Sequence, residues 1–173
     1  MSRKTIQSLF KRKIKYFYDL NIRQNFYSKE IVELSLLIAD VVKCNSDELK
    51  IIRDLFFEPP DVLLNQDETA DFVMKKFKID LICITMGAKG AVLYKEGDSS
   101  YYQTYVDHSD IVDTVGAGDA YAAILCIGYL KNWDIRKTNK LASEFAAEII
   151  KIQGALPTDD SLYNSFKNRL MIS

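Results

Sequence analysis

The stretch Ile111-Val112-Asp113-Thr114-Val115-Gly116-Ala117-Gly118-Asp119-Ala120 decides how we interpret this chain. A β-branched strand end runs into a turn of small residues and then directly into a helix. Gly116 and Gly118 remove side-chain bulk and permit unusual φ angles, so successive backbone N–H groups can converge on an anion. The helix that follows adds the positive end of its dipole. The stretch therefore predicts a phosphate site where the helix begins.

Asp119 lies in the sequence where that phosphate would bind. A carboxylate in an anion site is unfavourable unless it serves the chemistry. It would do so by accepting the proton of a hydroxyl that attacks the terminal phosphate. The alternative is an ordinary turn in which Asp119 only caps the helix. A cap does not require Asp113, Thr114, two glycines and Ala117 together, so we favour phosphoryl transfer.

Strands alternate with helices along the chain, which predicts an α/β layered fold with a mainly parallel sheet. We expect strands at 15–20, 41–44 and 81–85, and a hairpin of 91–94 with 101–106. Ser28 should cap a helix whose apolar positions Ile31, Leu34, Leu37 and Ile38 fall on one face. Further helices are expected at 47–56, 69–77, 120–130, 135–152 and 160–170, with 120–130 buried almost all round.

Composition limits the classes of function. The chain has 173 residues, 48% of them hydrophobic, and a net charge of −1, which suits one globular domain over residues 1–173. Basic residues cluster only in the first fifteen positions, so we expect no nucleic-acid partner, and Lys11-Arg12-Lys13 should be a solvated helix face. No apolar run suits a bilayer or a signal peptide, so no membrane contact and a cytoplasmic location are expected. Cys44, Cys83 and Cys126 should be buried reduced thiols.

The segment Asp113 to Asp119 resembles the D-T-x-G-A-G-D signature of the ribokinase-like (PfkB) carbohydrate kinases and matches every fixed position. The resemblance implies that the amides of Gly116, Ala117 and Gly118 form an anion hole for the transferring phosphoryl group. It also implies that Asp119 is the base that activates the sugar hydroxyl. Asp113 and Thr114 would lie on the substrate or phosphate side of the site.

Asn45-Ser46-Asp47-Glu48 is similar to the N-x-x-E motif of the same family. The resemblance implies that Asn45 and Glu48 help to hold Mg²⁺ through its water shell, and Mg²⁺ does prefer oxygen ligands and keeps several waters. An Asn followed three residues later by Glu is also a capping box. Its place between a strand and a helix, upstream of the proposed anion hole, favours the magnesium interpretation.

Two further segments resemble the family's ligand loops. Thr85 to Gly90 is similar to T-x-G-x-x-G, and this resemblance implies that Thr85, Gly87 and Gly90 lie along the nucleotide. The role of Lys89 stays open. Asp19 to Arg23 looks like the D-x-N-x-R segment of fructokinase-like members, in which Asn21 and Arg23 would meet substrate or phosphate. An internal Asp19–Arg23 salt bridge is the alternative for Asp19.

Ser143 and the turn that contains Gly154 resemble the family's adenine side, where many members have Asn at the position of Ser143. The implied cofactors are ATP and Mg²⁺. Some members also bind K⁺ through backbone oxygens behind the anion hole, so K⁺ is a further candidate.

The resemblance covers only the C-terminal half of a family member, because the first sugar-binding signature and the β lid are not visible. We therefore expect an incomplete ribokinase-like fold that transfers phosphate from ATP to a small sugar, in a fructokinase-like reaction. A partner chain, or self-association, would supply the missing half. The alternative function is a non-catalytic nucleotide-binding or interaction module from a truncated or split kinase.

Overall fold

The computed structural model describes residues 14–24, 26–57 and 64–171. Its strands are β1 (Phe17–Asp19), β2 (Val41–Asn45), β3 (Leu81–Thr85), β4 (Ala91–Lys95) and β5 (Asp98–Tyr102). Its α-helices are α1 (Lys29–Ile38), α2 (Ser46–Phe56), α3 (Gln66–Phe77), α4 (Ala117–Leu130), α5 (Ile135–Ile149) and α6 (Ser161–Met171). Short 3₁₀ turns occupy Gly87–Lys89 and His108–Asp110. The basic stretch at 11–13 lies outside the described residues.

The strands form one sheet in the order β1-β2-β3-β4-β5. β1, β2 and β3 are parallel, with Phe17 opposite Val41 and Val41 opposite Leu81. Parallel neighbours need long connections, and helices supply them here. β4 and β5 form a hairpin, so the sheet is mixed and mostly parallel. The predicted α/β fold with a mainly parallel sheet is confirmed.

The chain divides into two compact units. The first comprises the residues up to Thr85 together with Tyr94–Asp98. The second comprises Met86–Leu93 and the residues from Ser99 onward. The expectation of one domain over 1–173 stays a prediction. Within the described part of the chain, no helix is long and apolar enough to cross a bilayer.

In the first unit, β2 and β3 are buried almost throughout, because α2 packs against both strands and α3 against β3. Burial of such apolar side chains contributes roughly 1.5–3 kcal/mol each. Cys44 and Cys83 are buried free thiols, as expected, whereas Cys126 in the second unit is only partly buried. The largest fully buried apolar side chains of this unit are those of Leu36, Ile52, Ile82, Ile84, Val32, Val41, Val42 and Val73.

Helix α1 begins after Ser28, whose side chain accepts a hydrogen bond from the Ile31 N–H, so the predicted cap is confirmed. The apolar face expected from the sequence is not the face that the helix buries. Val32 and Leu36 are the buried residues of α1, whereas Ile31, Leu34 and Leu37 are exposed and Ile38 is only partly covered. The helix is apolar on two sides, so the spacing of its apolar residues could not say which side faces the sheet.

Helix α3 begins three residues before the predicted start. Its N-cap is Asn65, whose side chain accepts from the Glu68 N–H while the Glu68 carboxylate accepts from the Asn65 N–H. This capping box satisfies two backbone donors and extends the helix over polar residues that carry no apolar periodicity. The signal was present in the sequence as Asn65 followed by Glu68.

The β4–β5 hairpin is tighter than predicted. A two-residue turn, Glu96-Gly97, joins the strands, and Gly97 adopts a φ of 73° that L side chains rarely take. The second strand is therefore Asp98–Tyr102 and not 101–106. The polar residues at its start carry no apolar alternation that would have marked a strand.

In the second unit, α4 buries one face and not its whole circumference, since Leu130 is exposed. The helix packs closely on α5, where a Cβ at Gly128 would lie 2.6 Å from two side-chain atoms of Thr138. Helix α5 ends at Ile149, earlier than predicted, because the Ile150 carbonyl accepts from the N–H groups of Val112 and Asp113. The end of α5 thereby supports the segment that leads into α4.

Candidate active-site loops

Helix α4 begins at an open N-terminus. Its N-cap is Gly116, in the left-handed region with φ 84°, and no side chain caps the helix. The Ala117 N–H donates to the Thr114 carbonyl at 3.4 Å, and the Ala120 N–H donates to the Gly116 carbonyl at 2.8 Å. Between them, Gly118 and Asp119 occupy the first turn, where a helix leaves its N–H groups without helical acceptors. These donors and the helix dipole suit an anion.

The Asp113 carboxylate shapes the turn that leads to Gly116. One oxygen accepts from the Val115 N–H at 2.9 Å, and the other accepts from the Gly154 N–H at 3.2 Å. The side chain therefore joins the loop before α4 to the loop after α5. Sequence reasoning placed Asp113 and Thr114 beside substrate or phosphate, and the geometry gives Asp113 an observed positioning role.

Gly116 is also required by close packing. A Cβ built on it would lie 2.5 Å from the Ala155 Cβ and 2.9 Å from the Ala155 Cα. Any L side chain would force these loops apart and would strain the positive φ. The structure thus brings together two of the predicted ligand segments, the Gly116 turn and the Gly154-Ala155 turn.

The Asp119 side chain is exposed on the first turn of α4. Its negative charge is favourable next to the positive end of the helix dipole. The described hydrogen bonds and ion pairs do not include its carboxylate, so its oxygens are open to an acceptor hydroxyl. This exposure suits a base that must contact its substrate.

Ser143 lies in a different environment from the one expected. It is buried, and its hydroxyl lies 3.5 Å from the Asn139 side-chain oxygen. The Tyr121 hydroxyl donates to that same oxygen at 2.8 Å, and the Asn139 amide donates to the carbonyls of Ala91 and Ser100. Asn139 was missed by sequence reasoning because a single Asn inside a helix carries no motif. The contact between Ser143 and a base stays a prediction without support from this geometry.

The turn after β3 is held by backbone hydrogen bonds. The Met86 N–H donates to the Gly90 carbonyl at 2.8 Å, and the Gly90 N–H donates to the Gly87 carbonyl at 3.0 Å. Gly87 and Gly90 have positive φ, and a Cβ at Gly90 would lie 2.2 Å from the Tyr102 carbonyl. The glycines are needed for this shape, and Lys89 is exposed at its tip. Thr85 ends β3, and its hydroxyl lies 3.4 Å from the Cys44 carbonyl.

In the first unit, a charged pair joins the last residue of β1 to the middle of β2. Asp19 is opposite Lys43 in the register, and the Lys43 ammonium is 2.8 Å from its carboxylate. Lys43 is buried, and a buried charge needs an oppositely charged partner, which Asp19 supplies. The alternative Asp19–Arg23 salt bridge is wrong, and Arg23 is exposed. Lys43 was missed, although a lysine inside the apolar run Val41–Cys44 was a visible signal.

Glu48 holds the loop that follows β1. Its carboxylate accepts from the Ile22 N–H at 2.7 Å and from the Asn45 N–H at 2.8 Å. The Asn45 side-chain oxygen accepts from the Asp47 and Glu48 N–H groups, which completes a capping box. Asn21 lies in this loop with a φ of 42°, and both Asn21 and Arg23 are exposed.

The Glu48 charge also affects Tyr18. Burial raises the pKa of the Tyr18 hydroxyl, a hydrogen bond with Ser35 lowers it, and the charge of Glu48 raises it further. Across the described residues, no group of three His, Cys, Asp or Glu side chains could hold a metal ion. An ion here would have to be held by few protein ligands and several waters, which is the ordinary state of Mg²⁺.

A family model described as pfkB family carbohydrate kinase matches residues 3–161. The fructokinase of Escherichia coli is 25% identical over 150 residues, which are 80% of this chain and 46% of that protein.

Solved kinases share the fold. The 2-dehydro-3-deoxygluconokinase of Thermotoga maritima has a TM-score of 0.73 at 20% identity, over 94% of this chain and 53% of that chain. The nucleoside kinase of Burkholderia thailandensis, in complex with ADP-inosine, has a TM-score of 0.69 at 19% identity, over 94% of this chain and 48% of that chain. The chain therefore spans about half the length of these relatives.

Proposed function

Since the chain belongs to the pfkB family of carbohydrate kinases, we propose that it is the nucleotide-binding and catalytic part of an ATP-dependent sugar kinase. One observation carries the proposal. The Gly154-Ala155 turn packs against Gly116 at the open start of α4, and Asp119 is exposed on the same helical turn. An anion-binding helix start and an accessible carboxylate are the two groups that phosphoryl transfer needs.

In the proposed reaction, Asp119 takes the proton from the acceptor hydroxyl. The hydroxyl oxygen then bonds to the γ-phosphorus, and the bond from that phosphorus to the bridging oxygen breaks, so that ADP leaves. The N–H groups of the Gly116–Gly118 turn donate to the phosphoryl oxygens, whose charge must be stabilised in the transition state.

Mg²⁺ would enter with the nucleotide. Both oxygens of Glu48 already accept backbone N–H groups, so Glu48 and Asn45 would meet the ion through water and not as direct ligands. A carboxylate oxygen retains a second lone pair for such a water. The ion would supply charge neutralisation at the phosphates. K⁺ dependence is part of the same proposal and is tested by exchanging K⁺ for Na⁺.

For the nucleotide we propose the turn of Thr85, Gly87 and Gly90 together with the Gly154 turn. For the acceptor we propose a fructose-like sugar near Asn21 and Arg23, because both side chains are exposed in the loop that Glu48 holds. The likeness to the E. coli fructokinase supports this choice.

Nucleotide binding by the purified chain tests the proposal. Calorimetry with Mg-ADP should give measurable heat, and Gly116→Ala should abolish it, because the new methyl group overlaps Ala155. Gly97→Ala is the matched control, since Gly97 also has a positive φ but a Cβ at this position would have no atom within 4 Å. Equal binding by the Gly116→Ala variant, or no binding by the folded parent chain, would contradict the assignment.

The match to about half of each relative favours a second candidate, a nucleotide-binding module without its own catalysis. Positioning of an acceptor is worth roughly 7–11 kcal/mol in favourable cases, and an incomplete pocket would forfeit much of it. We therefore expect the isolated chain to show no heat with fructose and slow or absent ADP release. Robust fructose-dependent turnover by the isolated chain would exclude the module.

A further inference from the structure

The Glu144 carboxylate of α5 joins three elements of the second unit. One of its oxygens accepts from the Tyr102 hydroxyl at 3.1 Å, at the end of β5, and the other accepts from the Arg169 guanidinium in α6. Both partners are distant in the chain, 42 and 25 residues away. The Glu144 side chain is only 22% exposed, so solvent and salt screen these bonds less than they screen a surface ion pair.

Helix α6 is held against α5 by aromatic contacts at the same place. Phe166 is buried, and its ring centre lies 4.9 Å from that of Phe145, the residue after Glu144. Tyr163 contacts the other side of this cluster, with 6.2 Å between its ring centre and that of Phe145. The Arg169 guanidinium lies 4.7 Å from the Phe166 ring centre. Phe166 therefore fixes the cation that Glu144 binds.

The segment between α5 and α6 carries the Gly154-Ala155 turn. Its beginning is fixed by the Ile150 carbonyl, which accepts two N–H groups of the segment before α4. Its far end enters α6, so the bond between Glu144 and Arg169 closes a short loop that contains the turn. A segment anchored at both ends has less conformational freedom than one with a free end. Docking of α6 therefore helps to keep the Gly154 N–H on the Asp113 carboxylate.

Tyr102 lies beside the turn that contains Gly90. A Cβ at Gly90 would lie 2.2 Å from the Tyr102 carbonyl. The residues on either side of Tyr102 donate side-chain hydrogen bonds to carbonyl groups of the turn, namely Tyr101 to Lys89 at 2.9 Å and Gln103 to Ala88 at 2.8 Å. The hydrogen bond from Tyr102 to Glu144 thus fixes the strand end that supports this turn.

We propose that Glu144 is a positioning residue that sets the affinity for nucleotide by holding the Gly90 turn through Tyr102 and the Gly154 turn through Arg169 and α6. The proposal rests on the proposed function, because it takes these two turns as parts of the nucleotide site. It adds α6 to the elements on which nucleotide binding depends. The alternative is an ion pair that only stabilises the unit, and the two differ in what a variant changes.

Three variants of the isolated chain separate the two links. Tyr102→Phe removes the hydrogen bond toward the Gly90 turn. Arg169→Met removes the ion pair that docks α6 and keeps an unbranched side chain that can cover Phe166. Glu144→Leu removes both links. In calorimetry with Mg-ADP, each single-link variant should raise the Kd about three- to tenfold, and Glu144→Leu should raise it about tenfold or more.

Each variant has a matched control in the same unit. The controls remove the same kind of group without touching either link, and each should leave the Kd for Mg-ADP unchanged. Tyr163→Phe removes a hydroxyl that the described hydrogen bonds do not include. Lys167→Met removes an exposed cation of α6 that the described ion pairs do not include. Glu148→Leu removes a carboxylate of α5 that pairs only locally at the surface, with Lys151.

Amide hydrogen exchange, followed by NMR without nucleotide, distinguishes positioning from stabilisation. Glu144→Leu should speed exchange of both the Gly90 and the Gly154 N–H. Each single-link variant should speed only the amide of its own turn. The reference is the Trp133 N–H, which donates to the Gly128 carbonyl in the same unit and should exchange as in the parent chain. A loss of stability alone would speed the reference amide as well.

An unchanged Kd in the folded Glu144→Leu variant would overturn the proposal, and so would equal acceleration of the Trp133 amide. Melting curves verify that each variant is folded. If Glu144→Leu does not fold, the two single-link variants decide by the same criteria. If the folded parent chain does not bind Mg-ADP, the proposed function fails, and exchange at the two glycine amides still decides whether Glu144 holds the turns.

Discussion

Helices α2 and α4 both carry a carboxylate in their first turn, but their N-termini are capped differently. Each has a carboxylate at its third position, Glu48 in α2 and Asp119 in α4. In α2, the Glu48 side chain turns back to accept from the Asn45 N–H, and the Asn45 side chain accepts two further N–H groups. In α4, the N-cap is Gly116, no side chain caps the helix, and Asp119 is exposed.

The two helix N-termini meet the same requirement for hydrogen-bond acceptors in different ways. The N–H groups at a helix start must find acceptors. Helix α2 finds them within its own chain and uses the spare carboxylate oxygen to hold Ile22, so this start contributes rigidity. Helix α4 has no side-chain cap, and in the proposed function the N–H groups of its first turn are kept for a phosphate in place of the stability of a cap.

Asp119→Asn, at the N-terminus of α4, should have the largest effect of the variants considered, and the effect should be on turnover. The amide keeps the shape of the side chain but cannot accept a proton, so turnover in a complete kinase assembly that contains this chain should fall by roughly 10² to 10⁴. Binding of Mg-ADP should survive. Asp47→Asn is the matched control, since Asp47 is exposed in the first turn of α2 and should change turnover little. Near-parental turnover of the Asp119→Asn variant would exclude the base assignment.

Glu48→Gln should destabilise the capped N-terminus of α2. The amide group cannot accept both N–H donors, so the free energy of unfolding should fall by about 1–3 kcal/mol, measured by urea denaturation. If Glu48 also holds the water shell of Mg²⁺, the variant needs more Mg²⁺ for half-maximal activity of the complete kinase assembly. A stability loss with an unchanged Mg²⁺ requirement would reduce Glu48 to its role in the cap and the Ile22 loop.

The sequence predicted the parts of the fold that local chemistry dictates. The β3 strand, the Ser28 cap and the Asn45–Glu48 box follow from residues close together in the chain. The family followed from the resemblance of the segment Asp113 to Asp119 to a known signature, and the mostly parallel sheet followed from the alternation of elements.

What the sequence could not predict depends on residues far apart in the chain. The Asp19–Lys43 pair needs the parallel register of two strands, and the contact between Gly116 and Ala155 needs the end of α5 to return to the start of α4. The spacing of apolar residues in α1 could not tell its exposed side from its buried side, because both sides are apolar. Ser143 was assigned by resemblance alone, without knowledge of Asn139 beside it.

Asn45→Ala should separate the cap from the carboxylate in α2. The variant removes the acceptor for the Asp47 and Glu48 N–H groups but leaves Glu48 in place, so the expected loss is about 1 kcal/mol. Asn65→Ala removes the equivalent acceptor in α3 and should cost a similar amount in thermal or urea unfolding. An unchanged free energy of unfolding in both variants would mean that neither capping box stabilises its helix.

Tyr94→Phe tests whether the Tyr94 hydroxyl stabilises the N-terminus of α3, which also begins with a capping box. The Tyr94 hydroxyl donates to the Asp67 carboxylate at 2.5 Å, in the first turn of α3, and accepts from the Gln66 amide at 3.1 Å. Burial, followed by the hydrogen bond to Asp67, raises the pKa of Tyr94 to about 12. In the unfolded chain the pKa is about 10, so the unfolded state loses this proton first. The stability that the neutral hydroxyl contributes is therefore complete below pH 10 and is lost as the pH rises from 10 to about 12.

This effect should be the smallest of the four, and it is read as a difference between variants. Urea midpoints measured from pH 9 to 12 should fall less steeply for Tyr94→Phe than for the parent chain. Tyr101→Phe is the control, since Tyr101 is exposed and its hydroxyl contacts only Lys89 and Gln103 among the described bonds. Burial also raises the pKa of Tyr18 and of Tyr102, so part of the slope persists in every variant. Identical slopes for the parent and the Tyr94→Phe variant would show that the Tyr94 proton does not help to close the start of α3.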